Sequence, residues 1–129
     1  MENENAKQQA QAQLESIVEM IGALRVASND EEREAAQTRI EEDPLSVEVR
    51  GDWHAPGCEG AKPSEFMILL CTGGPVVRIR GELDRYSEPE KPRIEYQDWF
   101  TPWQTLPSLS DEENDALFEY SRQFYYADA

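Results

Sequence analysis

His54 is the only histidine in the chain, so any serine or cysteine nucleophile activated by an imidazole base would have to use it. Cys58 lies four residues on, within GDWHAPGCEGAKP (residues 51–63), and Cys71 is the only other cysteine. A loop this rich in small residues brings neighbours together without chemical purpose. His54 and Cys58 with a carboxylate such as Asp52 or Glu59 would make an irregular, exposed zinc set. The Gly73-Gly74-Pro75 turn lacks the spacing of a phosphate loop and the helix that should follow it. No DxDxDG spacing for calcium occurs. The expectation is therefore no catalytic residue, no metal, no cofactor and no enzyme activity.

Charge is the chemistry this chain has in abundance. Its 27 acids and 12 bases give a formal net charge of -15. Residues 1–50 carry 12 acids against 5 bases and residues 84–129 carry 11 against 4, so each segment contributes -7, while residues 51–83 contribute only -1. A field of this sign repels phosphate backbones and anionic lipid and attracts basic protein surfaces, including those that bind nucleic acid. Two runs could stand in for phosphates before such a partner: Glu31, Glu32, Glu34, Glu41 and Glu42, and Asp111, Glu112, Glu113 and Asp115. The bland reading of both is a solvated helix face that serves solubility. Aromatic residues near the carboxyl end belong to a core, except that Trp103, Tyr125 and Tyr126 could stay exposed and anchor a partner. Arg78 and Arg80 read as sheet salt bridges or, failing that, as an anion-binding pair working with the Trp53 to Cys58 loop.

These groups need elements to hold them. The organising stretch is EFMILLCTGGPVVRIRGEL (residues 65–83), an apolar run, a Gly-Gly-Pro turn and an alternating strand, which reads as a hairpin. Residues 66–72 are apolar on both faces, which predicts cover on both sides. Leu45 to Arg50 alternates, with Leu45, Val47 and Val49 inward, and Arg93 to Phe100 forms a fourth strand after a polar loop. Antiparallel pairing would set Arg78 and Arg80 near Glu95 and Gln97. Residues 4–25 make a helix with Leu14, Ile17, Val18, Ile21 and Leu24 in one stripe, whose first two turns have only alanines to bury and are expected to fray. Ser28 with Glu31 predicts a capping box for a second helix over 29–42 that buries little, and Pro44 ends it. Residues 101–109 read as an irregular link. Ser110 with Glu113 is a second capping box, opening a helix over 111–126.

The sum is an α+β domain spanning 1–129: an acidic helical segment (1–43), a four-stranded antiparallel meander (44–109) and a carboxyl-terminal helix (110–129). The polar start MENENAKQQAQ predicts no secretory signal, and no apolar stretch approaches the ~20 residues that cross a bilayer. With two cysteines that fit no redox motif, a reducing, cytoplasmic setting is expected.

Four segments together, EDPLSVEVRGDWHAPG, EFMILLCTGGPVVRIRGELD, IEYQDWFTPW and FEYSRQFYY, give the chain a resemblance. It resembles a family of small proteins encoded by bacteriophages and prophages of proteobacteria, over residues 42–126. LLCTGGPxVRIRGEL and YQDWxTPW are its distinctive strings. The similar proteins end FYFGE where this chain ends FYYADA, so a terminal contact does not carry over. The resemblance transfers no activity, cofactor or catalytic residue. It implies a phage origin and a role in the host cytoplasm, with counter-defence, anti-CRISPR or anti-restriction, expected ahead of metabolism. The resulting expectation is an acidic inhibitor that binds a host nucleic-acid-binding protein by mimicking nucleic acid. A small ligand-binding protein or enzyme, or a phage structural or assembly protein, is the alternative.

Overall fold

A computed structural model describes residues 2–51, 53–57, 62–98 and 101–126, the first three as backbone alone. Along the chain run α1 (Glu2–Val26), α2 (Asp30–Glu42), β1 (Ser46–Gly51), β2 (Pro63–Cys71), β3 (Val76–Leu83), β4 (Pro89–Gln97), β5 (Gln104–Thr105) and α3 (Asp111–Ser121). The architecture is α+β, and the sheet is antiparallel with its strands in sequence order. It has five strands where four were expected. Gln104 and Thr105, in the stretch read as a link, pair with Tyr96 and Glu95. Two residues near two prolines offer no alternation from which a strand could be read.

Cross-strand partners point to the same side of a sheet, so the register sorts the faces. Phe66, Ile68, Val77, Ile79, Ile94 and Tyr96 lie on one side and are buried with Ile17, Met20, Ile21, Ile40, Leu117 and Tyr120 in one core. α1 packs on β3 and β4, α3 on β4 and α1, and α2 on the outside of α1. The other side of the sheet is uncovered by any described helix. Its rows run Ser46, Leu69, Arg78, Glu95, Thr105, then Glu48, Met67, Arg80, Arg93, then Arg50, Glu65, Glu82, Glu90. The expected cover on both faces of β2 is thus corrected: on the open side Met67 and Leu69 are half-buried in rows beside Arg80 and Arg78, and Arg78 reaches the Met67 sulfur at 3.6 Å.

Local signals moved by small steps. Ala6 and Ala10 are fully buried, so the first turns of α1 are docked and not frayed. They extend the stripe through Leu14, Ile17 and Ile21 at helical spacing, and a methyl side chain suffices where the helix lies close to the core. The cap of α2 is Asn29 rather than Ser28: its side chain accepts from the Glu32 amide at 2.8 Å, and the Glu32 carboxylate accepts from the Ser28 amide and hydroxyl at 2.9 and 3.0 Å. The Ser110–Glu113 box forms as expected, at 3.1 and 2.8 Å. α3 stops at Ser121, five residues short of the expectation, and β4 begins at Pro89 inside the expected loop. Leu45 is exposed rather than inward, whereas Val47, two residues on, is half-buried against the core. Trp99 and Phe100 lie outside the described residues. No helix of the described residues is long and apolar enough to cross a membrane.

Candidate functional site

The layers divide the charge. The three helices hold 15 acids and 4 bases, a net of -11, while the strands hold five acids and five bases, Glu48, Glu65, Glu82, Glu90 and Glu95 against Arg50, Arg78, Arg80, Lys91 and Arg93. The cause lies in the apolar pattern: α2 buries only Ala36 and Ile40, and α3 only Ala116, Leu117, Tyr120 and Ser121, which leaves the rest of each helix to polar residues.

On α2, Glu31, Glu32, Glu34, Glu41 and Glu42 are all exposed. Glu31, Glu34 and Glu42 border one shallow groove with Ala35, Thr38 and Arg39, down the solvent side of the helix. Glu32 is held to Ser28, whose amide and hydroxyl bonds keep its carboxyl below the ordinary range. Glu41 lies 3.5 Å from the Gln37 amide nitrogen. On α3, Asp111 and Glu112 are exposed, at the helix end where negative charge is favoured by the dipole. Asp115 is exposed too, but accepts from Arg25 at 2.7 Å, which ties α3 to the end of α1. Glu113 is half-buried and committed to its capping box, which takes it out of the displayed set.

The aromatic trio separates. Tyr125 is 79% exposed. Tyr126 is buried, with its hydroxyl donating to the Ser121 carbonyl at 2.6 Å and its ring 4.9 Å from Phe66, so it belongs to the core and is corrected as a partner contact. Its burial pushes the phenol pKa well up. Trp103 is half-buried on the open sheet face, under the Arg78 guanidinium at 3.6 Å from the ring centroid. It is a stacking platform already occupied, not a free anchor.

The open face carries a network that sequence spacing did not reveal. Glu65 accepts from Arg50 at 2.8 and 3.2 Å and from Arg80 at 2.6 Å. Glu95 accepts from Arg78 at 2.8 Å, with Arg93 at 3.5 Å. Arg78 thus finds Glu95 as expected, whereas Arg80 sits across from Arg93 and turns to Glu65 instead. The missed signal was Glu65 itself, whose outward place on β2 follows from inward Phe66. A cleft of about 300 Å³ opens here between Glu48, Arg50, Glu65, Met67, Arg78 and Arg80, and a second one beside it is lined by Arg50, Glu65, Trp53 and His54. His54 is exposed, with Nδ1 3.2 Å from the Ala55 carbonyl. Cys58, Asp52 and Glu59 lie outside the described residues. Cys71 is half-buried, and burial raises its thiol pKa, the opposite of what a nucleophile needs. Among the described residues no three metal-ligating side chains are grouped.

Two arginine partners, Arg50 first and Arg80 second, hold the Glu65 carboxyl at about 2, against an ordinary 4.5. A carboxylate depressed in the folded state adds stability above its unfolded value, and that contribution is lost as pH falls through the folded one. Wild-type protein should therefore lose stability to urea more steeply between pH 4.5 and 2 than Glu65→Gln does. Equal slopes in the two proteins would mean that the carboxylate is not paired in solution.

The chain matches no family model, no curated protein and no solved structure.

Proposed function

We propose that this protein is a non-catalytic acidic inhibitor that presents its helical layer to the basic, nucleic-acid-binding surface of another protein. The separation of charge by layer carries the reading: a net of -11 on the helices against zero on the strands, with the acids of α2 turned to solvent. Carboxylates at helical spacing would occupy arginine and lysine sites that otherwise take phosphates, and the long-range field would speed the encounter. Glu31, Glu34, Glu41, Glu42, Asp111 and Glu112 are the contact set, with Tyr125 the one exposed aromatic of the expected trio. The resemblance to phage and prophage proteins points to a CRISPR or restriction component as the partner.

Triple reversal, Glu31→Lys with Glu34→Lys and Glu42→Lys, moves the formal charge from -15 to -9. Tagged wild-type protein should capture a basic nucleic-acid-binding protein from proteobacterial lysate. Capture should fall at least about tenfold between roughly 0.1 and 0.5 M salt, as expected for a charge-driven complex. The triple variant should lose it at all salt concentrations, while Arg78→Ala and His54→Ala should keep it. Loss in the last two alone would reject the proposal.

That last outcome would instead favour a second reading, a site for a small anion on the open sheet face. The observation behind it is the adjacency of the Arg50–Arg78–Arg80 cleft to Trp53 and His54. Against it stands the prior commitment of these guanidinium groups to Glu65 and Glu95.

A further inference from the structure

β1 ends the sheet, and no described strand pairs with its outer side. The helices sit over β3 and β4, so the apolar side of this edge is only partly covered, with Val47 half-buried against the core and its neighbours open. Leu45 is 60% exposed, Val49 38% and Trp53 102%, three of the seven large apolar side chains exposed among the described residues. An exposed edge of this kind is a template for another strand, and proteins usually blunt it with charge. Here the charges are Glu48 and Arg50, opposite in sign and placed symmetrically about Val49. Such a pair blocks most partners but fits its own copy turned end for end.

We propose that two copies of this chain pair β1 to β1, antiparallel, about a two-fold axis at Val49. In that register Val49 faces Val49, each Glu48 faces an Arg50, Val47 faces Gly51, and Leu45 of one copy lies alongside Trp53 of the other. Apolar residues meet on the helix side and opposite charges on the open side. Neighbouring registers fail. Centring on Glu48 or on Arg50 sets like charges opposite each other, and a shift of one residue sets Val49 against Glu48. β1 itself is neutral, Glu48 against Arg50, so the paired edges bring no like charges face to face between two bodies of net charge -15. The contact uses the same patch on both copies, so it closes at two. The opposite edge, β5, has only two residues.

Sedimentation of the full chain from about 10 to about 300 µM, a range that covers weak but specific affinities, should show growth from 14.8 kDa towards twice that mass. Glu48→Arg and Arg50→Glu should each raise the dimer Kd at least about tenfold, and the two together should return it to within about threefold of wild type. Because Arg50→Glu also breaks the Glu65 pair, a cysteine arm stands beside it. Val49→Cys should cross-link to itself under mild oxidation, because directly opposed strand residues lie within disulfide reach. Leu45→Cys should not. A wild-type chain that stays monomeric throughout overturns the proposal. So does a dimer unaffected by either single reversal, or self-linking by Leu45→Cys and not by Val49→Cys.

Discussion

Gly81→Val should lose about 3 kcal/mol or more of stability, the upper range for forcing atoms into a packed core, and melt on the order of 10 °C lower. A Cβ built on Gly81 lies 2.5 and 2.8 Å from Phe66 Cε1 and Cζ and 2.8 Å from the Glu90 carbonyl oxygen. The Phe66 ring is fully buried and packed at a tilt against Tyr126, so it has nowhere to retreat, and Glu90 contributes backbone rather than a flexible side chain. The β3–β4 register also shifts at this point, between Arg80 and Glu82. Gly81→Ala adds the offending atom alone and should already destabilise. Gly22, in the middle of α1, has nothing within 4 Å of its Cβ position, and Gly22→Ala should stabilise by about 0.5 to 1 kcal/mol from helix propensity. Thermal melts of these variants test the packing directly. A Gly81→Ala protein as stable as wild type would mean that β3 and β4 do not approach as described.

Tyr120→Ala should be comparably severe, about 4 kcal/mol, because it removes a fully buried ring that also meets Phe124 at 5.4 Å. Tyr120→Phe separates the ring from the hydroxyl. That hydroxyl donates to the Asp43 carboxylate at 2.6 Å, which joins α3 to the end of α2 across 77 residues of chain. Burial, with the Asp43 charge behind it, pushes the phenol pKa far up, so the donor stays protonated wherever the protein is folded. Asp43 is only half-buried and water can replace the lost donor, so Phe should cost about 1 kcal/mol. Urea unfolding curves for the pair would settle the split. Equal losses in the two variants would assign the whole effect to the hydrogen bond and contradict the buried ring.

Much of this molecule could be read before folding. The strand Val76–Leu83 alternates cleanly, and its bounds match the sequence reading, because one side is buried and the other wet. The α3 cap was legible since a capping box is a local motif that needs no tertiary partner. Tertiary facts were harder to see. Ala6 and Ala10 looked too small to matter until a core lay against them, and Tyr126 looked terminal and free until Phe66 came beside it. The apolar run of β2 looked two-sided because sequence does not show that Met67 and Leu69 stand in rows beside Arg80 and Arg78 on an open side of the sheet. Of the expected contact residues, the exposed acids of α2 were the most legible, because that helix has so little to bury. Glu65, which was outside that expected set, was not legible, because its meaning depends on which strands lie beside it.

Placing the acids in one layer and neutral strands in the other makes the molecule an electric dipole as well as an anion. In the field of a cationic body such an object feels a torque before it feels contact, and it turns its negative pole inward during the approach. Two proteins of equal net charge but scrambled distribution would collide as often and bind less often, since most collisions would present the wrong side. Under the proposed function, orientation in flight, set by which residues the core left over, would be part of the binding step.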